Sequence, residues 1–151
     1  MNMNTENDNH LSHKIIRFIE KSEKFQDLFE EITVPRKTTL LCEGEISQKI
    51  FFVKNGALRL WANNNGEDTT FRFCFENEVA SSFLGNEPSL FSIEAIEPST
   101  IIVLKTSDFK MLLNAMPEQK RRIYKSTNQT IERIRQTFSF AYHKKSRRAL
   151  H

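Results

Sequence analysis

Between residues 38 and 105 turn signals recur so often that no long element fits between them: Glu43-Gly44-Glu45, Asn55-Gly56, Asn63-Asn64-Asn65-Gly66 and Glu97-Pro98-Ser99. Spacings of about eight to twelve residues from turn to turn suit short strands and specify an antiparallel sandwich or roll. Predicted strands span residues 38–42, 49–54, 57–62, 68–75, 90–96 and 100–105. Asn55-Gly56 is a strong hairpin signal, since both residues tolerate φ > 0, and it predicts pairing of 49–54 with 57–62. Residues 90–96 and 100–105 are expected to pair around Glu97-Pro98-Ser99. Within 68–75 the alternation is clean, with Phe71, Phe73 and Phe75 on one face and Thr70, Arg72 and Cys74 on the other. The expected fold class is mainly β with flanking helices, a double-stranded β-helix or jelly roll.

The flanks read as helical. Residues 11–19 place Leu11, Ile15, Phe18 and Ile19 on one stripe. A second short helix is expected after Ser22 as N-cap, with Phe25, Leu28, Phe29 and Ile32 inward and Pro35 ending it. Thr106 or Ser107 is expected to cap a short helix through Leu113. Pro117 suits the first turn of a long helix, predicted over 117–145. In it Tyr124, Thr127, Ile131, Ile134, Phe138 and Ala141 recur at steps of 3, 4, 3, 4 and 3, the spacing of a coiled-coil seam. A helix packed on its own sheet shows a similar stripe. The narrow seam and its charged flanks favour a homodimer.

Composition removes several function classes. A chain of 151 residues is one domain with one core, and thirteen Phe supply large side chains for it. Residues 1–9 are polar and Asn-rich, a tail expected to be disordered and unlike a signal peptide. The longest apolar runs, Ile50-Phe51-Phe52-Val53 and Ile101-Ile102-Val103-Leu104, are strand-length and too short to cross a bilayer, so a cytoplasmic chain without membrane partners is expected. Cys42 and Cys74 lack C-x-x-C spacing and read as reduced thiols in the core or a pocket wall. His10, His13, His143 and His151 lie outside the strands, which argues against a metal-binding barrel enzyme. No Ser/His/Asp or Cys/His arrangement is recoverable. No metal, cofactor or enzymatic activity is expected. Charge is uneven: from residue 117 onward ten Lys and Arg face two Glu, a net +8 that leaves −5 on the rest. That split suggests a basic element near a polyanion, although a solvated helix face explains any single charge more simply.

Residues 77–100 interrupt the strands with a loop of small and hydroxylated residues, the expected mouth of a ligand pocket. Its candidate lining is Leu58, Leu60, Arg72, Cys74, Ser81, Ser82, Phe83, Phe91 and Ser92. Leu58, Leu60, Phe83 and Phe91 make a rather apolar cavity, suited to a small apolar or weakly polar effector, or to none, better than to a nucleotide. Ser81, Ser82, Ser89 and Ser92 offer hydroxyls, a short helix after Ala80 offers free N–H groups, and Arg72 offers a cation. Each has a simpler reading beside it: turn and cap chemistry for the serines, a surface strand position for Arg72.

Taken in order, a helix pair, turns at Glu43-Gly44-Glu45, Asn55-Gly56 and Asn64-Asn65-Gly66, a loop with Pro88-Ser89 before Ile93-Glu94-Ala95-Ile96-Glu97, and a long helix resemble the cyclic-nucleotide-binding-like sensor domain of Crp/Fnr transcription regulators. The resemblance covers about residues 10–145. It implies a β-roll with N-terminal helices over 10–116, a dimerisation helix over 117–145, and a hinge at 146–151 leading to a DNA-binding domain absent from this chain. It also implies how ligand is held: a Glu shortly after a Gly grips the ribose, and an Arg before a small hydroxyl residue grips the cyclic phosphate. Here Ser81-Ser82 stand where Gly-Glu is expected, and Phe91 followed by Ser92 where the Arg is expected. A buried phosphate without a cation is strongly unfavourable, so cyclic AMP or GMP is not expected to bind tightly.

The leading expectation is an effector-binding and dimerisation domain of such a regulator, touching DNA only through the missing domain. The alternative is a stand-alone small-molecule-binding module that regulates a protein partner.

Overall fold

The computed structural model describes residues 14, 16–18, 20–23, 26–82 and 86–137. The expected tail at 1–9 and hinge at 146–151 lie outside the described residues. Helical backbone at residues 14, 16–18, 20 and 21 (α1) and a 3-10 turn at Gln26–Leu28 precede eight strands. These are β1 (Phe29–Val34), β2 (Thr39–Leu41), β3 (Lys49–Asn55), β4 (Leu58–Asn64), β5 (Glu67–Cys74), β6 (Val79–Ala80), β7 (Ser92–Ala95) and β8 (Ser99–Lys105). Two helices follow, α2 (Thr106–Asn114) and α3 (Pro117–Thr137). The strands form two four-stranded antiparallel sheets, β1-β8-β3-β6 and β2-β7-β4-β5, so the expected two-sheet roll is the fold found.

The two apolar runs occupy the middle of the first sheet, and this explains their lack of alternation. Phe51, Val53, Ile101 and Val103 face the space between the sheets, with Leu58, Leu60, Ala62, Ile93 and Ala95 of the second sheet. Ile50, Phe52, Ile102 and Leu104 point the other way, onto Ile16 of α1 and Phe109, Leu112 and Leu113 of α2. A strand covered on both faces is selected for apolar residues at every position. Phe52 and Phe109 meet edge to face, with centroids 6.0 Å apart. Each large side chain so buried contributes roughly 1.5–3 kcal/mol through apolar transfer. The outer face of the second sheet is mixed, with Phe73 exposed beside a charged cluster. There Arg59 donates twice to Asp68, at 2.9 and 3.0 Å, and once to Glu94 at 3.1 Å, over the ring of Trp61.

Several local expectations are corrected. Asn55-Gly56 does not close a hairpin: β3 and β4 belong to different sheets, and the turn carries the chain from one to the other. The Asn-Gly pair that does close a two-residue hairpin is Asn65-Gly66, between β4 and β5, with φ of 56° and 90°. Likewise β7 and β8 do not pair with each other, because the Glu97-Pro98-Ser99 turn is also a crossing between sheets. Phe29 and Ile32 lie on β1, paired with Leu104 and Ile101, not on a helix. Pairing along the whole length of β8 outweighs the weak helical stripe. In β5 the register shifts opposite Leu60 and Trp61. As a result Phe71 turns toward the inter-sheet core while Phe73 and Phe75 stay exposed. Of the N-terminal stripe Phe18 packs on the second core and Leu11, Ile15 and Ile19 lie outside the described residues; Ile16, which the stripe omitted, is buried.

Neither Thr106 nor Ser107 caps α2: the helix already begins at Thr106, Lys105 is its N-cap residue, and no side chain caps it. The Thr106 N–H donates instead to the Gln48 carbonyl at 2.8 Å, so a sheet contact satisfies the donor that a cap would serve. Helix α3 starts at Pro117, and its described part is 21 residues. No described helix is long and apolar enough to cross a membrane.

Candidate functional site

The space between the sheets gathers most of the predicted lining. Leu58, Leu60, Cys74 and Phe91 have no solvent exposure and belong to one apolar cluster. Phe91 stands edge-on to Phe71, with ring centroids 5.1 Å apart. The cluster also contains Ile134 of α3, 4% exposed, so the long helix returns to cover the roll. That places one residue of the predicted seam against its own subunit. Tyr124 is exposed, Thr127 and Ile131 are half-buried, and Phe138 and Ala141 lie outside the described residues.

The loop serines divide by role. Ser89 Oγ donates to the Phe91 carbonyl at 2.6 Å, and the Ser89 backbone exchanges bonds with Glu45 and Gly44. Ser92 Oγ accepts from the Glu43 N–H at 2.8 Å. The Ser92 hydroxyl and the Ser89 backbone therefore hold residues 88–92 onto the 43–46 turn, while the Ser89 hydroxyl braces the loop on itself, the local chemistry that short hydroxylated side chains favour. Ser81 and Ser82 instead line a cleft with α2 and α3. Phe83 lies outside the described residues, as does any helix start after Ser82.

Arg72 is three-quarters buried and its Nη2 lies 3.7 Å from Oε2 of Glu78, a carboxylate that is itself buried. An anion entering the roll would have to compete with Glu78 for this guanidinium. Sequence reading missed Glu78 because an acid beside a turn normally points to water; only its neighbour Asn77, at φ 70°, marks the tight turn that folds it inward.

The two thiols differ sharply. Burial pushes the Cys74 thiol up to about 12; Arg72 opposes the rise and Glu78 adds to it. Cys42 was expected in the core or a pocket wall, but it is exposed, because the chain leaves β2 there for the turn closed by the Glu45 N–H on the Cys42 carbonyl at 3.0 Å. Its thiol is also raised, first by hydrogen bonding with Glu45. Alkylation at pH 8 followed by peptide mass mapping is expected to label Cys42 and spare Cys74 until the chain unfolds. The native state holds the Cys74 proton more tightly than the unfolded chain does. The stability this contributes is complete below pH 9 and is lost as pH rises toward about 12.

Among the described residues no group of three or more His, Cys, Asp or Glu is placed to hold a metal ion.

Comparison with known proteins follows the geometry. The family model of the cyclic nucleotide-binding domain matches residues 31–116. No curated protein matches by sequence. The catabolite activator protein of Thermus thermophilus superposes with a TM-score of 0.64 at 17% identity, over 83% of this chain and 62% of that one. A cyclic nucleotide-binding domain from Methylobacillus flagellatus gives 0.61 at 18% identity, over 90% and 83%. The regulatory domain of Toxoplasma gondii PKA, solved with cAMP, gives 0.60 at 18%, over 80% and 50%. The chain thus spans 62% of the length of the Thermus protein, and likeness at these identities is likeness of fold.

Proposed function

This chain belongs to the cyclic nucleotide-binding domain family, and from that premise we propose that it is the sensor and dimerisation domain of a Crp/Fnr-type transcription regulator that does not grip a cyclic nucleotide in the family's usual way. The family's domains are typically regulatory rather than catalytic. The observation that carries the reading is the shared cluster of Phe91, Leu58, Leu60 and Ile134. Phe91 fills, with an apolar ring, the position where an arginine would meet a cyclic phosphate. Ile134 ties α3 to that same space, so a change in what fills the roll is felt by the helix. In this reading α3 also joins two copies through Tyr124, Thr127 and Ile131, and DNA is reached through a separate domain of the regulator.

Calorimetric titration tests the ligand half of the reading. Cyclic AMP and cyclic GMP are expected to bind at roughly millimolar strength or weaker, because a buried phosphate lacks its charged partner. Micromolar affinity sinks that half. Light scattering tests the dimer half: a dimer is expected, with Ile131→Glu shifting it toward monomer by setting a charge in the seam. Ile131 is the informative position because Ile134 already packs on its own roll. A monomeric wild-type chain, or an Ile131→Glu variant that associates unchanged, removes α3 as the interface.

A further inference from the structure

The cleft beside Ser81 and Ser82 lies outside the inter-sheet core. Its floor is the outward face of the first sheet and α2, with Ile50, Phe109 and Leu113, and the first turns of α3 close one side. It encloses about 110 Å³. Lys49 and Lys110 belong to its lining, and both are exposed residues. Among the described residues neither has an acidic partner, and no Asp or Glu lines the cleft. Ser82 is only 4% exposed, and its hydroxyl has no hydrogen-bond partner among the described residues. Its oxygen is not sealed off, since Trp61 Nε1 alone among the described side chains is fully buried without a partner; the Ser82 hydroxyl therefore reaches the cleft and is open to an acceptor from outside. Two cations and an unanswered donor above an apolar floor describe one chemistry: an anion with a short hydrocarbon body.

We propose that this cleft is a binding site for a short-chain carboxylate. The head group accepts from the Ser82 hydroxyl and pairs with Lys49 and Lys110. The alkyl body covers Ile50, Phe109 and Leu113. An apolar cavity of about 150 Å³ holds a benzene molecule, so the space here takes about four to six non-hydrogen atoms. A cyclic nucleotide is far too large for it. The site goes beyond the regulatory reading: the cleft shares no residue with the Phe91 cluster, and Tyr124 and Thr127 alone belong both to its lining and to the proposed seam. Tight cyclic nucleotide binding or a monomeric chain, either of which defeats the regulatory reading, leaves it untouched.

Chemical-shift titration of the full 151-residue chain, with sodium butyrate, 1-butanol and inorganic phosphate as separate probes, tests it. Butyrate is expected to produce saturable shifts at Ser82, Leu113 and Tyr124. 1-Butanol and phosphate are each expected to bind at least about fivefold more weakly, as one lacks the charge and the other the apolar body. The Lys49→Gln, Lys110→Gln double variant, altered only at exposed positions, is expected to weaken butyrate about tenfold, the combined effect of two partly screened ion pairs. Ser82→Ala provides a second readout, with loss of about threefold or more through the hydroxyl alone. Absence of saturable shifts overturns the site. So does butanol binding as well as butyrate, phosphate binding as well as butyrate, or affinity that ignores the lysine pair.

Discussion

Phe91→Ala is expected to lower the unfolding free energy by about 3–5 kcal/mol, the range for removing a fully buried aromatic ring. For a chain of this size that lowers the midpoint of thermal unfolding by roughly 10 °C. The estimate rests on burial and contact: Phe91 has no solvent exposure, its ring meets Phe71, and its cluster spans both sheets and α3. Phe91→Arg is expected to be worse, because a guanidinium there loses its hydration in an apolar cluster and Phe91's neighbours Leu58, Leu60 and Ile93 offer no acceptor side chain. It is also expected not to create a cyclic nucleotide site, since the cation arrives without a cavity shaped to present it. Denaturant unfolding followed through Trp61, with calorimetry on any variant that folds, reads both effects. A Phe91→Arg chain of wild-type stability means that the space between the sheets already accommodates charge, and the apolar account of the roll is then wrong.

The same cluster shows how far the sequence could be read. Fold class, the positions of β2 to β5, β7 and β8, and the start of α3 at Pro117 followed from turn signals and periodicity, which are local properties; β1 and β6 did not. Partnership between strands is not local. Asn55-Gly56 and Asn65-Gly66 are chemically the same signal, yet one crosses between sheets and the other closes a hairpin. Their flanks differ, mostly apolar around Asn55-Gly56 and mostly polar around Asn65-Gly66, but neither flank names a partner strand. What decides is that β3 is claimed on one side by β8, some fifty positions later in the chain. Phe29 and Ile32 were misread for the same reason: their strand identity comes from β8, which a helical stripe cannot see.

The candidate site was legible in part. Leu58, Leu60, Cys74 and Phe91 do converge, because alternation fixes which face of a strand points inward. The inward path of Glu78 and the return of Ile134 to the roll were not legible, since each depends on where another element lies. Ser81, Ser82, Ser89 and Ser92 looked equivalent as a set of hydroxyls. In the fold Ser89 and Ser92 are committed to anchoring the loop, and only Ser82 is buried at a cleft with its hydroxyl unanswered.

Gly56→Ala is expected to destabilise the chain by about 2–5 kcal/mol, combining the cost of a non-glycine residue at positive φ with overpacking. Gly56 sits at φ 101°, and a Cβ built there comes within 2.7 Å of the Ser99 Cα as well as meeting the Ser99 side chain. Ser99 cannot readily give way. It is 2% exposed, its hydroxyl donates to the Glu97 carbonyl at 2.9 Å, and it accepts from the Ala57 N–H at 3.1 Å. Those bonds join the two crossings between sheets, so the glycine and the serine together fix how the sheets face each other. Trimming the serine is therefore expected not to rescue the glycine replacement: in Gly56→Ala, Ser99→Gly the backbone contact and the positive φ both remain. Urea unfolding of the two single variants and the double variant measures this. Recovery of wild-type stability in the double variant means that the strain lay in the Ser99 side chain alone, and the backbone approach is then not what requires glycine at this turn.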